Sequence, residues 1–220
     1  MKFLILTVLS LGLWALCGAP AVAAPIGGMV VSTFDSDLQG WTSAAATLSY
    51  SSEIGNAPGS ALFDDKSGGV ATIQAPGEFL GDWSLVRTIQ FQHRIIDFGA
   101  GDYTVRDVFN IKISGPGGVA TFQSDPGTVQ PSHDQWVDVV APVEEGSWIL
   151  GSGTWNSILS DVTDLRIQIE MVDNFNDYGQ PDDQDAIDNV VLNAVPEPMS
   201  VLLVSSAVIG ILGLRRKVMC

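Results

Sequence analysis

Phe109-Asn110-Ile111-Lys112-Ile113-Ser114 alternates apolar and polar side chains one residue at a time. Successive side chains of an extended chain point to opposite faces, so this spacing predicts a half-buried β-strand and not a helix. Leu165-Arg166-Ile167-Gln168-Ile169-Glu170-Met171 repeats the pattern, and Ile89-Gln90-Phe91-Gln92 is a third example, bounded downstream by Gly99 to Asp102. Shorter strands are predicted at Met29 to Phe34, Thr47 to Tyr50, Ser60 to Phe63, Val70 to Gln74, Val119 to Gln123, Trp136 to Val140 and Ile187 to Leu192. Turn formers separate them: Gly55-Asn56-Ala57-Pro58-Gly59, Ser114-Gly115-Pro116-Gly117-Gly118 and Ser124-Asp125-Pro126-Gly127. Many short strands joined by Gly/Pro turns predict an all-β, antiparallel sandwich. The one helical candidate in the body is Trp155 to Val162, with Thr154 as N-cap, placed to close one end of the sandwich.

The segments outside this body are of another kind. Residues 1–23 carry Lys2, an apolar run from Phe3 to Leu16 and the small-residue site Ala21-Val22-Ala23, the pattern of a helical signal peptide for signal peptidase. Cutting there removes Cys17, and the other cysteine is Cys220, so the sandwich body, residues 24–194, has no cysteine and no disulfide framework. From Ala24 to Pro198 the chain holds all 25 acidic residues. Lys2, Arg215, Arg216 and Lys217 lie outside, leaving six of the ten basic residues and a net charge of −19. Such a surface excludes nucleic acid as a partner.

Residues 195–220 run from Val195-Pro196-Glu197-Pro198 through the uncharged apolar segment 199–214 to Arg215-Arg216-Lys217. As a helix, those sixteen residues would cover about 24 Å, a thin transmembrane span. The basic end is expected on the cytoplasmic side and the body outside. Pro196 and Pro198 keep the preceding chain extended. These three linked parts resemble the PEP-CTERM sorting signal of Gram-negative bacteria. The resemblance implies export, transient anchoring in the inner membrane, recognition by an exosortase, and a final place at the cell surface or in the extracellular matrix.

Across the body, several short stretches resemble the laminin B (laminin IV type A) domain in the order of that family. They are Phe34 to Trp41, Ala75 to Ser84, Trp148, Ile158 to Thr163, and Ile187-Asp188-Asn189-Val190. The resemblance implies a jelly-roll-like sandwich similar to carbohydrate-binding modules and an extracellular interaction role. The cysteine-rich modules that flank the laminin domain are missing.

Glycan binding needs aromatic faces beside amides and carboxylates. Trp155 and Tyr178 fall in predicted loops. Gln90, Gln92, Asn110, Lys112, Arg166, Gln168 and Glu170 are polar members of alternating strands that could share one sheet face; of these, Gln90, Gln92 and Arg166 join the two aromatics as candidate ligand contacts. A structural calcium ion is a further expectation. Asp35 and Asp37 leave the first strand, Asp188 starts the last, and hard oxygen ligands suit that ion. An enzyme is not expected. His93 and His133 are the only histidines, no Gly-x-Ser-x-Gly motif occurs, and 25 carboxylates make any acid pair unspecific. The reading is therefore an exported protein that contacts extracellular polysaccharide. A purely structural biofilm component and a polysaccharide-modifying enzyme are the alternatives.

Overall fold

The computed structural model describes residues 28–44, 47–56, 59–64, 70–98, 103–127, 130–174 and 183–195. The predicted signal peptide, Tyr178, the 199–214 span and all of the sorting tag except Val195 lie outside these residues. No helix among those described is long and apolar enough to cross a membrane.

The strands are β1 (Met29–Ser32), β2 (Thr42–Ser43), β3 (Thr47–Ser51), β4 (Ser60–Asp64), β5 (Thr72–Gln74), β6 (Val86–Asp97), β7 (Tyr103–Val105), β8 (Asn110–Gly115), β9 (Gly118–Gln123), β10 (Val137–Pro142), β11 (Trp148–Gly153), β12 (Asp164–Gln168), β13 (Val172–Asn174) and β14 (Gln184–Ala194). They form two six-stranded sheets and a small β7–β13 ribbon. The first sheet runs β10-β6-β14-β4-β3, with β1 paired to the second half of β14. The second runs β11-β9-β8-β12-β5-β2. All strand pairings within the sheets are antiparallel.

Alternation accounts for the layering. Ile111, Ile113, Leu165 and Ile167 are fully buried on the second sheet, and Ile89, Phe91 and Ile187 are buried on the first. Together with Phe34, Phe63, Ile73 and Leu192 they belong to one apolar core. Burial of this scale lets a chain of this size hold a core without cross-links. The predicted turn at 115–118 joins β8 to β9 as a two-residue hairpin, with Gly115 opposite Gly118. Gly118 has φ +129, and a Cβ there would stand 2.2 Å from the Ser152 carbonyl oxygen, so no other residue fits.

The helix is shorter than expected. α1 spans Trp155–Leu159 and packs on β8, β9 and β11. Thr154 Oγ1 accepts from the Ser157 N–H, and the Ser157 hydroxyl accepts from the Thr154 N–H, a reciprocal cap for two otherwise orphaned donors. Two strands also differ from expectation. β6 is twelve residues long where only four were legible, and β12 stops at Gln168, three residues before the alternation ends.

Candidate functional site

β6 is central to the first sheet, flanked by β10 and β14. Its odd-numbered side chains Ile89, Phe91, His93 and Ile95 are buried, so its even-numbered ones face outward. Register then sets the neighbours. Gln90 lies opposite Val140 on one side and Val191 on the other; Gln92 lies opposite Asp138 and Asp188. The outcome is a groove of about 370 Å³ on the outer face, lined by Gln90, Gln92, Asp138, Val140, Asn189 and Val191. Two valines form an apolar floor beside amides and one exposed carboxylate.

A local irregularity of β14 shapes the groove. Between Asp188 and Val191 the pairing with β6 shifts, because β14 contributes one residue more than its partner. Asn189 takes up the extra length at φ +50, a left-handed conformation that asparagine tolerates better than most residues. The side chains then interlock. Gln92 Oε1 accepts from Asn189 Nδ2 at 2.9 Å and from Asn56 Nδ2 at 2.9 Å, while Gln92 Nε2 donates to Asp138 Oδ1 at 2.8 Å. Beneath them sits Asp188, 1% exposed. Its Oδ2 accepts from the Asn56 backbone N–H at 2.9 Å and its Oδ1 from the Asn189 backbone N–H at 2.7 Å. Burial pushes the Asp188 carboxyl above the usual carboxylate range; the two amide donors pull it back in part, and the Asp35 charge adds to the rise.

The predicted contacts divide. Gln90 and Gln92 stand in the groove. Arg166 does not join them: it lies on β12 in the second sheet, where its Nε pairs with Asp164 Oδ2 at 2.9 Å. Asn110, Lys112 and Gln168 also belong to that second sheet or its continuation, so the seven polar residues do not share one face. Gln168 and Glu170 are not solvated either. Gln168 Oε1 accepts from Asn110 Nδ2 at 2.6 Å, and Glu170 Oε2 accepts from the Ala71 N–H. Trp155 is 7% exposed and its ring lies 5.7 Å from that of Trp148, so it is part of the core rather than a binding platform. Its place at the first position of α1, the helix predicted to begin there, turns it inward.

The calcium expectation fares differently for each carboxylate. Asp188 is in the middle of β14, not at its start. Both its oxygens are engaged by backbone N–H donors, Asp37 Oδ1 accepts from the Gln39 N–H at 2.7 Å, and Asp35 Oδ2 accepts from Thr33 Oγ1 at 2.8 Å. Among the described residues no group of three or more His, Cys, Asp or Glu side chains converges to hold a metal. As arranged, the three carboxylates do not fit one calcium ion. His93 is fully buried, with Nε2 3.0 Å from Asp185 Oδ1 and 3.0 Å from the Ile169 carbonyl oxygen, tying β6 to β14 and to the end of the second sheet.

The residues that reading β6 alone misses are Asn56, Asp138, Asn189, Val140 and Val191. One signal was present: Ile187-Asp188-Asn189-Val190 breaks alternation with two consecutive polar residues, as a bulge does.

No family model matches the chain, and no curated protein matches it. Among solved structures, the CBM22-1 xylan-binding domain of Paenibacillus barcinonensis Xyn10C is similar with a TM-score of 0.50 at 11% identity, covering 80% of this chain and all of that domain. A segment of an exo-β-agarase is similar with a TM-score of 0.50 at 13% identity, covering 79% of this chain and 25% of the agarase. These likenesses establish the fold: an antiparallel β-sandwich of the type found in carbohydrate-binding modules.

Proposed function

We propose that this chain is a non-catalytic, exported protein whose first sheet contacts extracellular polysaccharide through the Gln90–Gln92–Asp138–Asn189 groove. The observation that carries the reading is that groove: amides and a carboxylate set beside Val140 and Val191 on an open sheet face. Sugar hydroxyls both donate and accept, which amide groups match, and sugar C–H faces rest on apolar side chains. The fold shared with a xylan-binding domain supports the reading. Among the described residues no Lys, Arg or His lines the groove, while Asp138 does, so its chemistry suits a neutral chain better than a uronate or sulfate polymer.

In this proposal signal peptidase removes residues 1–23, the 199–214 span anchors the chain briefly in the inner membrane, and an exosortase recognises Val195 to Pro198 with Arg215, Arg216 and Lys217. The body then resides at the cell surface or in the matrix. Thermal unfolding with and without neutral soluble glycans (a xylan, an agaro-oligosaccharide, the host's own polysaccharide) tests the groove. A ligand that binds only the folded state raises the melting temperature. A rise that Gln90→Ala with Gln92→Ala abolishes supports the assignment. No rise with any neutral glycan would favour the structural-component alternative.

A further inference from the structure

We infer that Asp188 is the positioning residue of this groove, presetting Asn56, Gln92 and Asn189 as one rigid amide array that reads neighbouring hydroxyl pairs of a neutral glycan; the inference rests on the function proposed above. Two independent chain segments meet on this single carboxylate. The loop after β3 brings the Asn56 N–H to Oδ2, and the bulge of β14 brings the Asn189 N–H to Oδ1. Both residues whose backbones Asp188 holds then present side-chain amides to the same acceptor, Gln92 Oε1. One buried group thereby fixes two of the three amides from below, and Gln92 locks to Asp138 on the far side.

This explains why an acid is buried at a place where burial disfavours its charge. A carboxylate accepts from two N–H donors at once, whereas an asparagine would turn its NH₂ group against one of them. Asn56 and Asn189 each give Gln92 Oε1 one amide proton, and among the described residues nothing else engages their side-chain carbonyl oxygens or second amide protons. That alternation of donors and acceptors at fixed spacing is what a vicinal diol requires, and holding it rigid in advance removes the ordering cost that a flexible amide would bring to binding.

The test compares the wild-type protein with Asp188→Ala and Asp188→Asn by NMR of side-chain amides and by glycan affinity. In Asp188→Ala the NH₂ resonances of Asn56, Gln92 and Asn189 should collapse toward solvent-exposed values, while backbone amides of Ile111, Ile113 and Ile167 in the other sheet stay in place. Affinity for the neutral glycan that the wild type binds should fall about tenfold or more, with Asp188→Asn in between. Asn189→Gly accepts the φ of +50 without strain and keeps the backbone donor to Asp188, yet should lose affinity by a similar factor. Unchanged amide resonances in Asp188→Ala overturn the positioning role, as does wild-type affinity in Asn189→Gly. If Asp188→Ala fails to fold, Asp188→Asn and Asn189→Gly decide. Should the wild type bind no neutral glycan, the proposed function fails, while the amide resonances still show whether Asp188 presets the array.

Discussion

The two sheets of the sandwich obey the same alternation and have quite different outer faces. On the second sheet, Arg166 pairs with Asp164 beside it, and Asn110 bridges to Gln123 and Gln168, so neighbouring polar groups satisfy one another along a regular ladder. On the first, a one-residue bulge in β14 breaks the ladder, buries Asp188 and collects amides from three distant segments around Gln92. Polar residues on a strand therefore do not make a site. An irregularity that gathers them does.

The largest effect should come from α1, which packs on the second sheet, and it should be on stability alone. Trp155→Ala removes a buried ring packed on Trp148, and a loss of about 3 kcal/mol or more is expected in denaturant unfolding. Protein that remains folded should bind glycan as the wild type does. Gln92→Ala should do the reverse: about a tenfold loss of glycan affinity by calorimetry, from removal of the residue that joins Asn56, Asn189 and Asp138, with a smaller change in melting. Arg166→Ala then sharpens the contrast. Its ion pair with Asp164 is partly exposed, so stability should move by no more than about 0.5 kcal/mol, and affinity should not move at all. A clear loss of affinity in Arg166→Ala would shift the site to the other sheet.

Asp188 also predicts a pH signature confined to the first sheet. Burial raises its folded pKa above that of an ordinary aspartate, so the folded state holds its proton more tightly than the unfolded chain. The resulting contribution to stability is fully present below the pKa of the unfolded chain and is lost as pH rises through the folded pKa. Melting curves of wild type and Asp188→Asn across the acidic range should therefore differ most at the low end, where the wild type alone gains. The smallest effect concerns calcium. With Asp35, Asp37 and Asp188 each engaged in hydrogen bonds, adding calcium should leave the melting temperature nearly unchanged. A large, saturable rise would restore the three-carboxylate site.

How far the sequence was legible follows from the range of the interactions. Alternation is local, so Phe109 to Ser114, Leu165 to Gln168 and Ile89 to Gln92 were readable as strands, and from them the sandwich. Trp148-Ile149-Leu150-Gly151-Ser152-Gly153 was not readable as β11, because this bulged strand on the sheet's edge has three apolar residues followed by glycines and no period of two. Gln90 and Gln92 were legible as polar strand residues. Their partners were not: Asp138 is 46 residues from Gln92 and Asn189 is 97 residues away, and only the order of strands in the sheet brings them together. Arg166 lies on a different sheet from Gln90 and Gln92 for the same reason, since alternation tells which side of its own strand a residue occupies but not which sheet the strand joins.

The measurement that bears most directly on the central claim is a titration of isotopically labelled protein with a neutral soluble glycan, followed through side-chain and backbone amide shifts. Changes are expected to centre on Asn56, Gln90, Gln92, Asn189 and the backbone of Val140 and Val191, with Lys112 and Arg166 on the opposite sheet unmoved. Changes centred on Asn110, Lys112 and Arg166, or none at all across a full panel of neutral glycans, would contradict it.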